Sequence, residues 1–195
     1  MKIHRDFSSW TVALAIVAAG TLQQAHAQSY FGDPVEGTLC QAGETVMFAC
    51  PSGQKQIAVC AAPAGGSPFG TLQYRFGSSS NIELKFPTSS VPPRDYASGN
   101  RLGDGGRGTL VYLRLKHGDT SYTVFAEAVA PTYQATDASE SSGVIVERQG
   151  KLLGKRMCNG HERTYAGMLS DSKFLGDAVP IDSQVPPGFP AYRQP

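Results

Sequence analysis

The segment TLQYRFGSSSNIELKF, residues 71–86, decides how the rest of the chain is read. Leu72, Tyr74 and Phe76 alternate with Gln73 and Arg75; after the polar run GSSSN (77–81), Ile82, Leu84 and Phe86 alternate with Glu83 and Lys85. A period of two on both sides of a Gly/Ser run is a β-hairpin with one apolar and one wet face. A five-residue loop predicts Phe76 opposite Ile82, Tyr74 opposite Leu84 and Leu72 opposite Phe86. On the wet face Arg75 then meets Glu83 and Gln73 meets Lys85. Burying the apolar face is worth on the order of 10–15 kcal/mol gross, an upper bound because the unfolded chain already hides some of that surface. A lone hairpin cannot bury it, so other strands must supply a second layer.

Three more hairpins flank this one. Upstream, TVMFAC (45–50) and KQIAVC (55–60) enclose Pro51-Ser52-Gly53-Gln54. With Ser52 and Gly53 in the turn, Cys50 faces Lys55, Cys60 faces Thr45, and Cys50 shares an apolar face with Val46, Phe48, Ile57 and Val59. Downstream, TLVYLRLK (109–116) and TSYTVFAEA (120–128) meet at Gly118-Asp119, which pairs Leu115 with Tyr122, Leu113 with Val124 and Val111 with Ala126. The other face carries Leu110, Tyr112 and Phe125 beside Arg114, Thr123 and Glu127, as in strands covered on both sides. GVIVER (143–148) and KLLGKRMC (151–158) turn at Gln149-Gly150, where glycine supplies the positive φ of a tight turn. A polar linker is expected at 131–142 and a short helix near 163–169. Four sequential hairpins predict an all-β antiparallel meander closed as a small barrel, with a two-layer sandwich as the alternative.

The N-terminus has a charged start with Lys2 and Arg5, an apolar run from Trp10 to Leu22, and small residues at Ala25 and Ala27. That is the pattern of a secretory signal peptide, residues 1–27. Its removal takes out Lys2, Arg5 and Asp6, so basic residues fall from 17 to 15 and acidic residues from 16 to 15. A neutral mature chain disfavours nucleic acid and anionic membrane as partners, and no membrane span remains after cleavage. The remaining length suits a single β domain, 28–178, followed by a Pro-rich tail, 179–195.

Four cysteines lie in the exported part, where thiols oxidise. In the predicted register Cys50 and Cys60 are roughly 17 Å apart along the ladder and on opposite faces, whereas a disulfide needs Cα atoms within about 7 Å. Cys40, just before the first strand, can return to Cys60 at the open end of the hairpin. The expected bonds are therefore Cys40–Cys60 and Cys50–Cys158.

No cofactor or metal is expected. His117 falls in a turn and His161 after the last strand, with no G-x-S-x-G elbow nearby. Cys158-x-x-His161 lacks the further ligands of a zinc site once the other thiols are cystines, and Asp104 stands outside any regular acidic ladder. The chemistry that remains is of the binding kind. The aperiodic stretch 87–108 carries Arg94, Asp95, Tyr96, Asn100, Arg101 and Arg107, residue types that anchor protein interfaces.

The words F-x-C-P-x-G-x-K-x-I-x-V-C (48–60), L-Q-Y-R-F-G with I-E-L-x-F-P, and S-G-V-I-V-E-R-x-G-K (142–151) resemble a group of uncharacterised exported β-rich proteins of proteobacteria. The resemblance covers about half the mature chain. It implies a periplasmic, disulfide-bonded β domain in which Cys50, Cys60 and Cys158 are structural. The expected architecture is also similar, at the level of fold, to the periplasmic lysozyme inhibitors, without their inhibitory loop signature. The reading favoured is a non-enzymatic periplasmic or secreted binding or inhibitor protein acting on a protein partner of the cell envelope, such as a cell-wall hydrolase or a toxin. An envelope structural module and a secreted hydrolase using His161 and Glu162 are the alternatives.

Overall fold

Wherever apolar residues recur every second position, the chain forms strands. The computed structural model describes residues 36–103, 105, 108–131, 138–160, 162–164, 173–189 and 192; the expected signal peptide lies outside them. The described strands are β1 (Thr45–Ser52), β2 (Lys55–Ala64), β3 (Ser67–Ser78), β4 (Asn81–Phe86), β5 (Ala97–Gly103), β6 (Gly108–His117), β7 (Thr120–Val129), β8 (Ser139–Arg148), β9 (Lys151–Met157) and β10 (Arg163–Thr164). They make two antiparallel sheets, ordered β10-β1-β2-β3-β4 and β5-β6-β7-β8-β9. No helix among the described residues is long and apolar enough to cross a membrane.

The expected barrel does not close; the sandwich forms instead. Sequential pairing stops between β4 and β5, where Pro87, Pro92 and Pro93 remove three backbone donors and the chain makes a single 3₁₀ turn at Pro93–Asp95. It then crosses to the other layer. Met47, Phe48, Ile57, Val59, Leu72, Tyr74 and Phe86 of the first sheet pack against Val111, Leu113, Leu115, Val124 and Val144 of the second. The stretch 87–108, expected to be irregular, therefore contains a strand, β5, paired along its whole length with β6.

Register decides which side chains enter this core. The β6–β7 hairpin pairs as predicted, Leu115 with Tyr122, Leu113 with Val124 and Val111 with Ala126, because its turn takes up only Gly118 and Asp119. The β3–β4 hairpin is two residues off the prediction: Tyr74 pairs with Phe86 and Phe76 with Leu84. A tighter turn joins Ser78 to Asn81, and an irregularity at Gly77 absorbs the difference. Ile82 is thereby left exposed instead of facing Phe76. In the first hairpin the turn is Gly53-Gln54, so Cys50 pairs with Ile57, and a bulge at Met47 turns Val46 over. Val46 joins Leu39, Cys40, Ala49, Ala58 and Cys60 in a small outer cluster, and Met47 takes its place in the core.

Arg75 departs most from its expected place. It is buried under the segment preceding β1, where its guanidinium makes two hydrogen bonds to the Glu44 carboxylate at 2.7 and 2.6 Å and one to the Leu39 carbonyl at 2.6 Å. Glu83, its expected partner, instead pairs with Lys55 at 2.7 Å. Both predicted disulfides are present, Cys40–Cys60 with Cα atoms 5.5 Å apart and Cys50–Cys158 with 5.7 Å. The second joins β1 of one sheet to the residue following β9 of the other. Such bonds belong to an oxidising compartment.

The C-terminal segment, with turns at 173–174, 176–178 and 187–188, is docked in its described residues. Phe174 and Val179 enter the core, Phe174 meeting Phe69 edge-on with ring centroids 5.0 Å apart. Residues 180–182 run beside β5: the Gly99 N–H donates to the Pro180 carbonyl at 3.0 Å and the Asp182 N–H to the Gly99 carbonyl at 2.8 Å. A side chain at position 99 would sit 2.7 Å from the Tyr112 carbonyl, so the close strand approach requires glycine. Beyond this, Phe189 and Tyr192 cover Leu110, Tyr112, Phe125 and Ile145 on the outer face of the second sheet. At 163–164, within the expected helix, the chain forms β10; residues 165–169 lie outside the described part.

Candidate functional site

The crossover between the sheets also shapes a recess. Ala64–Gly70 spans the β2–β3 turn, and Gly65 and Gly66 both have positive φ with open space beyond their Cα atoms. Facing this turn are Ser90, Pro92, Pro93 and Arg94 from the crossover, and Lys173, Asp177 and Ala178 from the C-terminal segment. These elements enclose a cleft of about 750 Å³. Its walls are largely apolar, with Pro68, Phe69, Pro92 and Pro93, and its rim carries Arg94, Lys173 and Asp177. The Arg94 guanidinium donates to the Asp177 carbonyl at 2.5 Å, which holds the side chain across the cleft mouth. An apolar trough with charges of both signs at its lip suits a peptide segment, whose backbone carbonyls and polar side chains can meet them.

The six residues singled out from the sequence do not converge. Arg94 lines the cleft, and Asp95 follows it, exposed, at the end of the 3₁₀ turn. Tyr96 points inward: its hydroxyl donates to the Leu72 carbonyl at 2.6 Å and accepts from the Leu72 N–H at 3.1 Å, tying the crossover to β3. Asn100 donates from Nδ2 to the Asp182 carbonyl at 2.7 Å and accepts the Arg101 N–H at 2.8 Å. The Arg101 side chain is exposed on β5, and Arg107 lies outside the described residues. Tyr96 and Asn100 are thus occupied with backbone groups, leaving Arg94 as the member of the set that reaches the cleft. The opposite wall, residues 64–70, belongs to the Pro/Gly-rich stretch 61–70, AAPAGGSPFG, which reads in sequence as a connector; the structure instead carries β2 to Ala64 and starts β3 at Ser67, with the turn between them facing the cleft.

Comparison with protein-family models, curated proteins and solved structures finds no match. Chemistry must therefore be read from the side chains themselves. Cys40, Glu44 and Cys60 lie close enough to suggest a metal cluster, but the two sulfurs are bonded to each other and the Glu44 carboxylate is taken by Arg75. The His117 ring packs on Phe86, centroids 4.8 Å apart. Glu162 accepts directly from the Ser142 hydroxyl at 3.0 Å. That is not the order of a hydrolytic relay, in which an imidazole stands between serine and carboxylate. His161 lies outside the described residues.

Burial pushes the Tyr96 phenol up to about 12, against the lowering effect of its hydrogen bond with Leu72, and Asp95 adds to the rise. Burial also raises Tyr74, helped by Tyr122, and Tyr112, helped by the charge of Asp182. Free tyrosine ionises near about pH 10. Between there and about pH 12 the unfolded chain releases protons that the native chain still holds, so stability falls as pH rises. Below about pH 10 this contribution is fully present. Thermal melts from about pH 8 to 12 are expected to show a steady Tm up to about 10 and a steep fall beyond it. Tyr96→Phe should make that fall shallower; an unchanged slope would remove Tyr96 from the explanation.

Proposed function

We infer that this is a periplasmic or secreted binding protein of inhibitor type, which captures a protein partner of the cell envelope in the cleft between the β2–β3 turn and the crossover. A cell-wall hydrolase or a toxin fits that description. The cleft carries the reading: three separate chain segments converge to form it, and Arg94 is fixed across its mouth. The scaffold agrees with it, since the recess sits on a sandwich stapled by two disulfides and a preformed recess loses less on binding. The resemblance to exported proteobacterial proteins agrees with this compartment and leaves the activity open.

Arg94 is exposed, so its replacement should leave stability within about 0.5 kcal/mol while changing the recess. The immobilised mature protein, Arg94→Ala and Arg94→Glu are compared for capture from an envelope extract. A partner held by the native protein is expected to fall about tenfold with alanine, equivalent to about 1.4 kcal/mol, and to disappear with glutamate. Equal capture by all three would overturn the assignment of the cleft.

A further inference from the structure

The sandwich leaves its sheet edges in unequal states. At one edge of the second sheet, β5 is covered by residues 180–182 through the Gly99 bonds described above. The β1 side of the first sheet is covered by β10. The β4 edge carries charges of both signs, Glu83 and Lys85, and Glu83 is paired with Lys55. β9 differs from all of these. Every one of its residues is exposed, it pairs with β8 alone among the described residues, and Leu152, Leu153 and Met157 remain 51%, 53% and 41% exposed. An open edge offers unpaired N–H and C=O groups to an incoming strand, here over 151–156, since the Met157 carbonyl already accepts from the Ser52 hydroxyl.

Charge selects what can pair there. β9 reads KLLGKRM, with three cations and no acid. By register Lys155 is opposite Ile145 and stands on the outer face, its ammonium over the Phe125 and Phe189 rings at 4.8 and 5.2 Å. Arg156 is opposite Val144 and stands on the inner side, over Phe76 at 5.0 Å. The aromatic rings hold each cation beside the edge, one on either face of the sheet. A second copy of β9 would bring like charges together, which disfavours self-pairing. Leu152 and Met157 share the outer face with Lys155, which asks for apolar residues flanking an acid on the incoming strand.

We propose that β9 is a strand-addition site for an extended acidic polypeptide segment that sets carboxylates opposite Lys151, Lys155 and Arg156 and apolar side chains opposite Leu152 and Met157. This surface is separate from the cleft and does not depend on it. Backbone hydrogen bonds supply the attachment, and Lys151, Lys155 and Arg156 supply the selection.

The test uses the mature protein and a fluorescent, capped octapeptide of Val and Glu, Val-Val-Glu-Glu-Val-Val-Glu-Val, which places Val-Glu-Val on the outer face and Glu on the inner face. Binding is followed by anisotropy, and amide hydrogen exchange locates it. Three comparisons accompany it: the same peptide with Lys in place of Glu, the Val and Glu peptide with alternate amides N-methylated, and the protein carrying Lys155→Glu and Arg156→Glu. The expected result is binding of the Val and Glu peptide with slowed exchange over 151–156, at least about tenfold weaker for the Lys peptide and for the variant, and lost on N-methylation. Lys151→Glu, which disturbs no ring contact described here, should weaken binding in the same direction. No binding, equal binding of the two peptides, binding that survives N-methylation, or protection elsewhere would each overturn the proposal. So would a β9-dependent dimer in sedimentation.

Discussion

Replacing Cys50 and Cys158 together by alanine is expected to lower the unfolding free energy by about 5 kcal/mol, and replacing Cys40 and Cys60 by about 3 kcal/mol. The difference comes from chain length. Cys50 and Cys158 are separated by 108 residues and Cys40 and Cys60 by 20, and a longer closed loop removes more entropy from the unfolded chain. Geometry acts in the same direction. The long-range bond joins β1 of the first sheet to the end of β9 of the second, where the Ser52 hydroxyl also donates to the Met157 carbonyl at 2.9 Å and the Asn159 N–H to the Pro51 carbonyl at 2.9 Å. The shorter bond fastens an outer segment to β2 of the same sheet. Urea titrations of the two double-alanine proteins measure both values. A greater loss from removing Cys40–Cys60 would show that the inter-sheet bond is not what holds the layers in place.

Arg114→Met is expected to destabilise the protein by about 3–5 kcal/mol. The Arg114 guanidinium lies 2.8 Å from the Asp182 carboxylate, and both groups are buried. Asp182 also accepts from the Ser98 hydroxyl at 3.1 Å and the Gln184 N–H at 2.8 Å, while Arg114 donates to the Gln184 carbonyl at 2.9 Å. The pair thereby fastens the C-terminal segment to the second sheet. Losing the cation leaves a carboxylate in a dry site, and the penalty is mostly that unpaired charge. Adding Asp182→Leu to Arg114→Met should recover part of the loss, because the orphaned charge goes with it. Denaturation of the single and double variants, with hydrogen exchange at Gly99 and Asp182, tests this. Additive losses, or unchanged protection at those amides, would show that the Arg114–Asp182 pair is not what holds the segment.

Strand identity was legible wherever period two was clean, and register was legible only where the turn left no choice. Gly118-Asp119 admits one pairing, and β6–β7 follows it. In GSSSN several turns are possible, and the two-residue slip decides that Ile82 faces solvent. The bulge at Met47 is invisible to a pattern that already finds apolar residues at 46, 47 and 48. Arg75 was misread because alternation says which face a residue takes, not what later covers that face. Its burial depends on Glu44 and Leu39, more than thirty positions earlier. The cleft had the same limit: Arg94 was visible as a candidate, but its neighbours come from 64–70 and 173–178.

The sequence by itself determined the all-β class and the four hairpins, since alternation and turn residues are local constraints, and the cystine pairing by elimination, once Cys50 and Cys60 lie beyond a disulfide's reach on one hairpin. Only the tertiary structure decided that the sheets stay open and stack, that the 87–108 stretch contributes a strand, and that the C-terminal segment covers the second sheet. These outcomes turn on which layer can bury which face and satisfy which backbone group, and that balance is struck between residues far apart in the chain.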